Sequence, residues 1–210
     1  MGGLRSRPSQ KAGKMDIDEF LYVDSWFEDE YKNKSQDRYF TFKAALNLFL
    51  QNGGMNIVET GTTRQLNDWG AGYSTYLFGA VAALFEKHVW TVDISRENIE
   101  VCKKVTEDFC DYITYKVDDS HNFLAGFDHS IDLLYLDSVD FPLDGSDPTG
   151  CQLHQLKEFK LAESLLSDRA IVLLDDNHFL GGGKTKLTKN YLREKGWRCV
   201  LDYQQSLFIR

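Results

Sequence analysis

Residues 170–209 read AIVLLDDNHFLGGGKTKLTKNYLREKGWRCVLDYQQSLFI, and this stretch decides the fold. Ala170 to Leu174 is an apolar run of strand length, stopped by Asp175-Asp176-Asn177. Beyond a Gly181-Gly182-Gly183 loop, Lys184 to Lys195 reads as a helix closed by Gly196. Arg198 to Asp202 and Ser206 to Ile209 are then two strands with only a short polar turn between them. A parallel connection needs a crossover of roughly a dozen residues or more, so these two strands must form an antiparallel hairpin.

Upstream, strands and helices alternate. Asn56 to Thr60 is a short apolar strand, Tyr73 to Lys87 an apolar helix, and Val89 to Asp93 the next strand. Ser95 caps a helix running through Phe109, with Ile99, Cys102, Val105 and Phe109 on one face. Strands follow at Tyr112 to Val117 and Ile131 to Leu136, then a helix marked by Leu153, Leu156, Phe159, Ala162 and Leu166. This alternation implies βαβ units. The expected fold is α/β, a Rossmann-like seven-stranded, mostly parallel sheet with helices on both faces and a C-terminal antiparallel hairpin. It occupies residues 55–210. Residues 1–15 are expected to be a disordered tail. Residues 16–54 are expected to form a helical segment covering the site, with Phe20, Tyr22, Trp26, Phe27 and Tyr31 and a helix over 37–51 ended by Asn52-Gly53-Gly54.

A chain of 210 residues with 42% hydrophobic content suits one domain with a sizeable core. Its net charge of -8 disfavours a nucleic-acid partner. Cys102, Cys110, Cys151 and Cys199 form no CxxC pair and have no histidine cluster beside them, so they are read as reduced core thiols rather than zinc ligands. No apolar run approaches the roughly 20 residues of a membrane span. The basic start (Arg5, Arg7, Lys11, Lys14) lacks the apolar region of a signal peptide. The expectation is a cytoplasmic protein with no membrane partner.

Ligands of doubly wound sheets bind beyond the carboxyl ends of the strands. The first strand runs into Glu59-Thr60-Gly61-Thr62, and Gly70-Ala71-Gly72-Tyr73-Ser74-Thr75 opens the next helix. Glycines there let a ligand approach the backbone, and the helix start offers free N–H groups. The third glycine of the dinucleotide fingerprint is absent, Thr75 standing in that region, which favours S-adenosylmethionine over NAD. Asp93 ends the second strand about 20 residues past the glycines, where a carboxylate can accept from both ribose hydroxyls. The competing role, capping the next helix, suits Ser95 better. After the third strand, Asp118-Asp119-Ser120 offers polar groups for an adenine edge, a helix cap, or both.

The ordered set ETG…GAGYST, VDIS, DDS, LLYLDS and VLLDDN resembles the motif series of class I S-adenosylmethionine-dependent O-methyltransferases. Within them it is more similar to the small-molecule and sugar enzymes than to those acting on nucleic acid. The resemblance covers roughly residues 55–210 and implies methyl transfer to a hydroxyl. It implies cofactor contacts from Glu59, Gly61, Thr62, Gly72, Ser74, Asp93, Ile94, Asp119, Ser120 and Asp137. Thr63 to Trp69 departs from the pattern as an insertion in the glycine loop.

Asp137 ends the fourth strand and Asp175-Asp176-Asn177 the fifth, and these strand ends should be neighbours. Oxygen ligands converging there suit a hard cation such as Mg²⁺. VLLDDN resembles the metal-binding strand of catechol-type O-methyltransferases, a likeness that implies Asp137, Asp176 and Asn177 as ligands. The macrolide-sugar enzymes use two successive acids, which implies Asp175 and Asp176 instead, and Asp175 and Asn177 stay open as alternatives. A cation would lower the acceptor hydroxyl's pKa and hold it in line with the methyl group. The lysine that catechol-type enzymes carry three residues beyond the first metal acid is here Asp140. Asp137, His154 and His178 are therefore the candidate catalytic groups. Gly181 to Gly183 either shapes the acceptor pocket or only links strand to helix. The polar segment Pro142 to Gly150 lies where acceptor loops belong, and its acidity points to a neutral or cationic acceptor.

The expected partner is a small-molecule or sugar acceptor, with homodimerisation through the aromatic N-terminal region as a candidate assembly. Three alternatives stand beside this reading. They are a metal-independent N- or C-methyltransferase, a nicotinamide-dependent oxidoreductase, and a non-catalytic S-adenosylmethionine-binding module. The missing third glycine and the terminal hairpin argue against the oxidoreductase.

Overall fold

A computed structural model of the chain describes residues 25, 27–29 and 31–210. The expected tail, and Phe20, Tyr22 and Trp26 of the N-terminal segment, lie outside the described residues. Seven strands form one sheet: β1 (Asn56–Thr60), β2 (His88–Asp93), β3 (Ile113–Val117), β4 (Ile131–Leu136), β5 (Leu166–Leu174), β6 (Arg198–Asp202) and β7 (Ser206–Ile209). Their order is β3-β2-β1-β4-β5-β7-β6. β1 to β5 run parallel, and β7 inserts antiparallel between β5 and β6. The expected sheet and its terminal hairpin are both present, and β4 and β5 are neighbours. The strand order reverses between β1 and β4, which opens a crevice at their carboxyl ends.

Helices pack around the sheet, among them α1 (Tyr39–Gln51), α2 (Ser74–Phe85), α3 (Arg96–Val105), α4 (Ser120–Ala125), α5 (Thr149–Ala162) and α6 (Lys186–Glu194). The central strands alternate between two cores. Ile57, Leu133, Tyr135, Ile171, Leu173 and Leu207 face α1 and α2, with Phe42, Leu46, Phe49 and Phe78 packed on them. Val58, Leu134, Leu136, Val172, Leu174 and Phe208 face the opposite layer, which includes Phe123, Phe159 and Leu192. Side chains of a strand alternate between faces, so covering both faces explains why these strands are apolar throughout.

Four details differ from the sequence expectation. The helix capped by Ser95, whose Oγ accepts from Asn98 N at 3.2 Å, ends at Val105 rather than Phe109. The Thr106 hydroxyl donates to the Cys102 carbonyl at 2.8 Å, and a 3₁₀ stretch over Glu107–Tyr112 follows. Leu166, assigned to a helix by its spacing, instead starts β5 and pairs with Ile131 across a register shift. The last helix begins at Lys186, because Lys184 and Thr185 turn inward and are buried. Cys110 is exposed on the 3₁₀ stretch, unlike the buried Cys102 and Cys151, so it is not a core thiol.

The start of α1 is tied to the crevice. Arg38, 7% exposed, donates through Nε to both oxygens of Asp175 (3.2 and 2.9 Å) and through an amino group to the Gly70 carbonyl at 2.7 Å. One guanidinium thus joins the N-terminal helix, the glycine loop and the end of β5. Asp175 is fully buried. Removing the cation would strand its charge in a low dielectric. Arg38→Met should therefore cost about 3–5 kcal/mol in denaturant unfolding. A loss under about 1 kcal/mol, the scale of an exposed pair, would show that the contact does not anchor the helix.

Candidate functional site

The carboxyl ends of β1, β2 and β4 border a cleft of about 150 Å³. Of the expected cofactor contacts, Gly61, Thr62, Ser74, Asp93, Ile94 and Asp137 line it. Glu59, Gly72, Asp119 and Ser120 are not among the lining residues. The lining also includes Thr63, Arg64 and Asp68 from the inserted segment, Tyr73, Ser95 and Asn98 around the helix starts, and Ser138 after β4. The insertion is thus a wall of the cleft. Its Arg64 pairs with Asp140 at 2.8 Å, joining the loops that follow β1 and β4. Only the position of these residues just past strand ends could have singled them out.

Glu59 lies beneath the cleft and is fully buried. It accepts from the hydroxyls of Ser74 (2.5 Å), Thr75 (2.7 Å) and Thr91 (2.7 Å). Thr75 Oγ1 in turn accepts from Thr63 N at 3.1 Å and lies 3.2 Å from Thr62 Oγ1. The carboxyl therefore shapes the cradle from below by holding the loop to the start of α2. Burial pushes its pKa up to about 7, against the pull of the three hydroxyls. Gly61 completes the floor. Its φ is +81°, and a Cβ there would sit 2.4 Å from the Asp137 carbonyl oxygen, so only glycine lets the exits of β1 and β4 lie together.

Asp93 reaches the cleft with both oxygens already engaged. It accepts from Ser95 N at 2.8 Å, from the Asn98 amide at 3.1 and 3.2 Å, and from Thr62 N at 3.4 Å. These bonds fix its orientation, so Asp93 takes part in the helix entry alongside the Ser95 cap. Asp119 caps α4 by accepting from His121 N and Asn122 N at 2.9 and 3.3 Å. Ser120 Oγ is 3.1 Å from His154 Nε2. The His154 ring also stacks on His121 at 4.0 Å and lies 3.5 Å from Glu158, which accepts from Ser138 at 2.6 Å. His154 thus binds α5 to α4. His178 is exposed and lies against Phe179. Neither histidine lines the cleft.

The strand-end acids gather as expected, but two cations come with them. Lys184, 1% exposed, forms an ion pair with Asp137 and another with Asp176 at 3.2 Å. Asp175 accepts from Arg38, from the Tyr135 hydroxyl, and from Gln205 at 3.1 Å. Burial opposes ionisation of Asp175, but Arg38 and Lys184 outweigh it and hold its carboxyl below the usual range. Burial pushes Asp137 up to about 7 against the pull of Lys184, with Asp175 and Asp176 adding to the rise. Burial likewise opposes the Lys184 charge, yet Asp137, Asp176 and Asp175 together raise its pKa above the ordinary lysine value. Asn177 points elsewhere. Its amide donates to Asp202 and the Tyr203 carbonyl, both at 2.8 Å, and accepts from Thr185 at 2.9 Å and Lys189 at 2.7 Å.

Mg²⁺ is held through one or two carboxylates and keeps several waters, and here the strand-end carboxylates are already engaged by protein donors. Asp137 and Asp176 are committed to Lys184, Asp175 to Arg38, and Asn177 to the hairpin and α6. Among the described residues no three His, Cys, Asp or Glu side chains form a group able to hold a metal ion. Asp137, Asp175, Asp176 and Asn177, expected as metal ligands, are thus each engaged by protein donors. Arg38, Tyr135, Lys184 and Gln205 are the site residues that sequence reasoning missed.

The same fold is found among solved methyltransferase structures. The O-methyltransferase NovP is 12% identical, the match covering 90% of this chain and 98% of that one with a TM-score of 0.62. The Podospora anserina methyltransferase PaMTH1, solved with S-adenosylhomocysteine bound, is 13% identical over 90% and 86% with a TM-score of 0.59. A methyltransferase from Geobacter sulfurreducens is 14% identical over 90% and 89% with a TM-score of 0.57. No family model matches the sequence, and no curated protein does. At these identities the likeness gives the fold, which is the class I methyltransferase fold that the motif series resembled.

The buried Glu59 makes stability depend on pH. Folding raises its pKa from 4.5 to about 7, so the folded chain holds this proton more tightly than the unfolded one. That stabilisation is complete below pH 4.5 and is lost as the pH climbs through about 7. Glu59→Gln should gain on the parent chain, by on the order of 2–3 kcal/mol, between about pH 5 and about pH 8. Urea unfolding of both proteins at the two pH values measures the difference. A pH-independent gap would mean that Glu59 is not protonated on folding.

Proposed function

We propose that the chain is an S-adenosylmethionine-dependent methyltransferase acting on a hydroxyl of a small-molecule or sugar acceptor. The observation that carries this reading is the cleft itself. It lies at the point where the strand order reverses, is floored by Gly61, and is bordered by Asp93 on one side and Asp137 on the other. The fold shared with O-methyltransferases supports it.

In this reading Asp93, fixed by Ser95 and Asn98, accepts from the ribose hydroxyls. The backbone around Gly61, Thr62 and Ser74 lies along the cofactor, and Ile94, 75% exposed, offers an apolar contact beside the ribose. Asp119 and Ser120, at the next strand end, meet the adenine edge. Bound S-adenosylmethionine supplies an activated methyl group on its sulfonium. The acceptor hydroxyl would be the methyl acceptor, and Asp137 would take its proton. Asp137 is preferred to His154 and His178 because it lines the cleft and the two histidines do not. No step is routed through Mg²⁺. The acceptor would enter between the loops that follow β4 and β5, where Phe141 stacks on Phe179 at 4.7 Å and Leu143 and Leu180 are exposed. Such a rim suits an acceptor with an apolar face.

Calorimetric titration with S-adenosylmethionine, with NAD as control, tests the reading. Binding of S-adenosylmethionine alone is expected, weakened about 10–100-fold in Asp93→Asn by loss of charge-assisted hydrogen bonds. Binding of NAD instead, or of neither compound, would sink it.

A further inference from the structure

The charge cluster at the ends of β4 and β5 solves a problem that these carboxylates set for one another. Asp137, Asp175 and Asp176 converge at a partly buried site, Asp175 being fully buried, and like charges held that close must be neutralised. Arg38 serves Asp175 and also reaches Asp176 at 3.8 Å, while Lys184 is the cation that pairs with both Asp137 and Asp176. Elsewhere such convergent acids suit a hard divalent cation. Here the chain delivers its own.

The delivery is built into the backbone. A Cβ on Gly183 would fall 1.8 Å from the Asp176 carbonyl oxygen, so only glycine allows the loop to press against Asp176. That contact puts Lys184 N 3.2 Å from the same carbonyl, and the Gly183 carbonyl is held from outside by Gln152 at 2.8 Å. Asp176 itself adopts a left-handed φ of +57°. From this anchored start the lysine stem runs inward and its ammonium reaches both carboxylates.

We propose that Lys184 is a resident cation that takes the place of a divalent metal in this site, so that the chain works without one. One of the ammonium's three donors is hydrogen-bonded to Asp137, and Asp176 completes the ion pair at 3.2 Å. Lys184 is therefore a positioning residue: it fixes the Asp137 carboxylate at the cleft wall and denies the acids to a metal ion. What the ammonium does for methyl transfer rests on the proposed function. That it occupies a cation position does not.

The test is a Mn²⁺ titration of the chelator-treated full chain, free Mn²⁺ being read by its electron paramagnetic resonance signal. No cofactor or acceptor is added, so failure here is separate from failure of the methyltransferase reading. The wild-type chain should leave the Mn²⁺ signal as in buffer. Lys184→Ala and Lys184→Met should each bind Mn²⁺ at least about tenfold more tightly than wild type, and adding Asp176→Asn should abolish the gain. A merely structural lysine would not uncover a metal site. Wild-type binding of one Mn²⁺ that Asp137→Asn or Asp176→Asn removes would overturn the proposal, as would folded Lys184 variants that bind none. Should neither variant fold, the wild-type titration alone decides it.

Discussion

Three carboxylates at the carboxyl ends of two adjacent buried strands are the constraint on which the rest of the site depends. Asp137, Asp175 and Asp176 cannot share that space as bare charges, because desolvation and mutual repulsion both oppose it. The chain meets the constraint from two directions. Arg38 arrives from the segment before the first strand and Lys184 from the glycine loop after the fifth. Each cation also performs a geometric task. Arg38 ties α1 to the Gly70 carbonyl, and Lys184 holds Asp137 at the edge of the cleft. Charge balance, helix docking and the shape of the crevice are therefore one problem with one solution.

The cradle on the other side of the cleft rests on a second buried carboxyl. Glu59 gathers three hydroxyls and, through Thr75, holds Thr62 and Thr63 where the loop turns away from β1. Expected as a cofactor contact by its motif, it lies in the structure beneath the residues that line the cleft. Gly61 then lets the exits of β1 and β4 approach, which brings the Asp93 side and the Asp137 side within one cleft. Preorganisation of this kind, with polar groups held before any ligand arrives, is what a positioning site requires.

The strands and most helices were legible in the sequence because burial on both faces imposes continuous apolar runs of strand length, separated by helical spacing. The terminal hairpin followed from the lack of room for a crossover, and the adjacency of Asp137 and Asp175 from the parallel sheet. Helix ends were less legible where one hydroxyl or one paired residue decided them, as at Thr106 and Leu166. The ion pairs were not legible at all. Arg38 and Asp175 are 137 positions apart, and no periodicity links them. Lys184 read as the first residue of a helix closed by Gly196. The available clue was chemical: converging acids must be balanced by something, and a lysine behind three glycines was the nearest candidate. Asn177 was ambiguous for a related reason, since a side-chain amide at a strand end serves a metal or a neighbouring hairpin equally well, and only the fold shows Asp202 and Lys189 beside it.

The central claim is that the Gly61 cleft is a cofactor site organised by Asp93 and Asp137. The most direct measurement is a crystal structure of the chain with S-adenosylhomocysteine. The account expects the ribose hydroxyls within hydrogen-bonding distance of Asp93, the adenine toward Asp119 and Ser120, and the sulfur on the Asp137 side. Well-ordered S-adenosylhomocysteine bound away from this cleft, or ribose hydroxyls that do not meet Asp93, would contradict it.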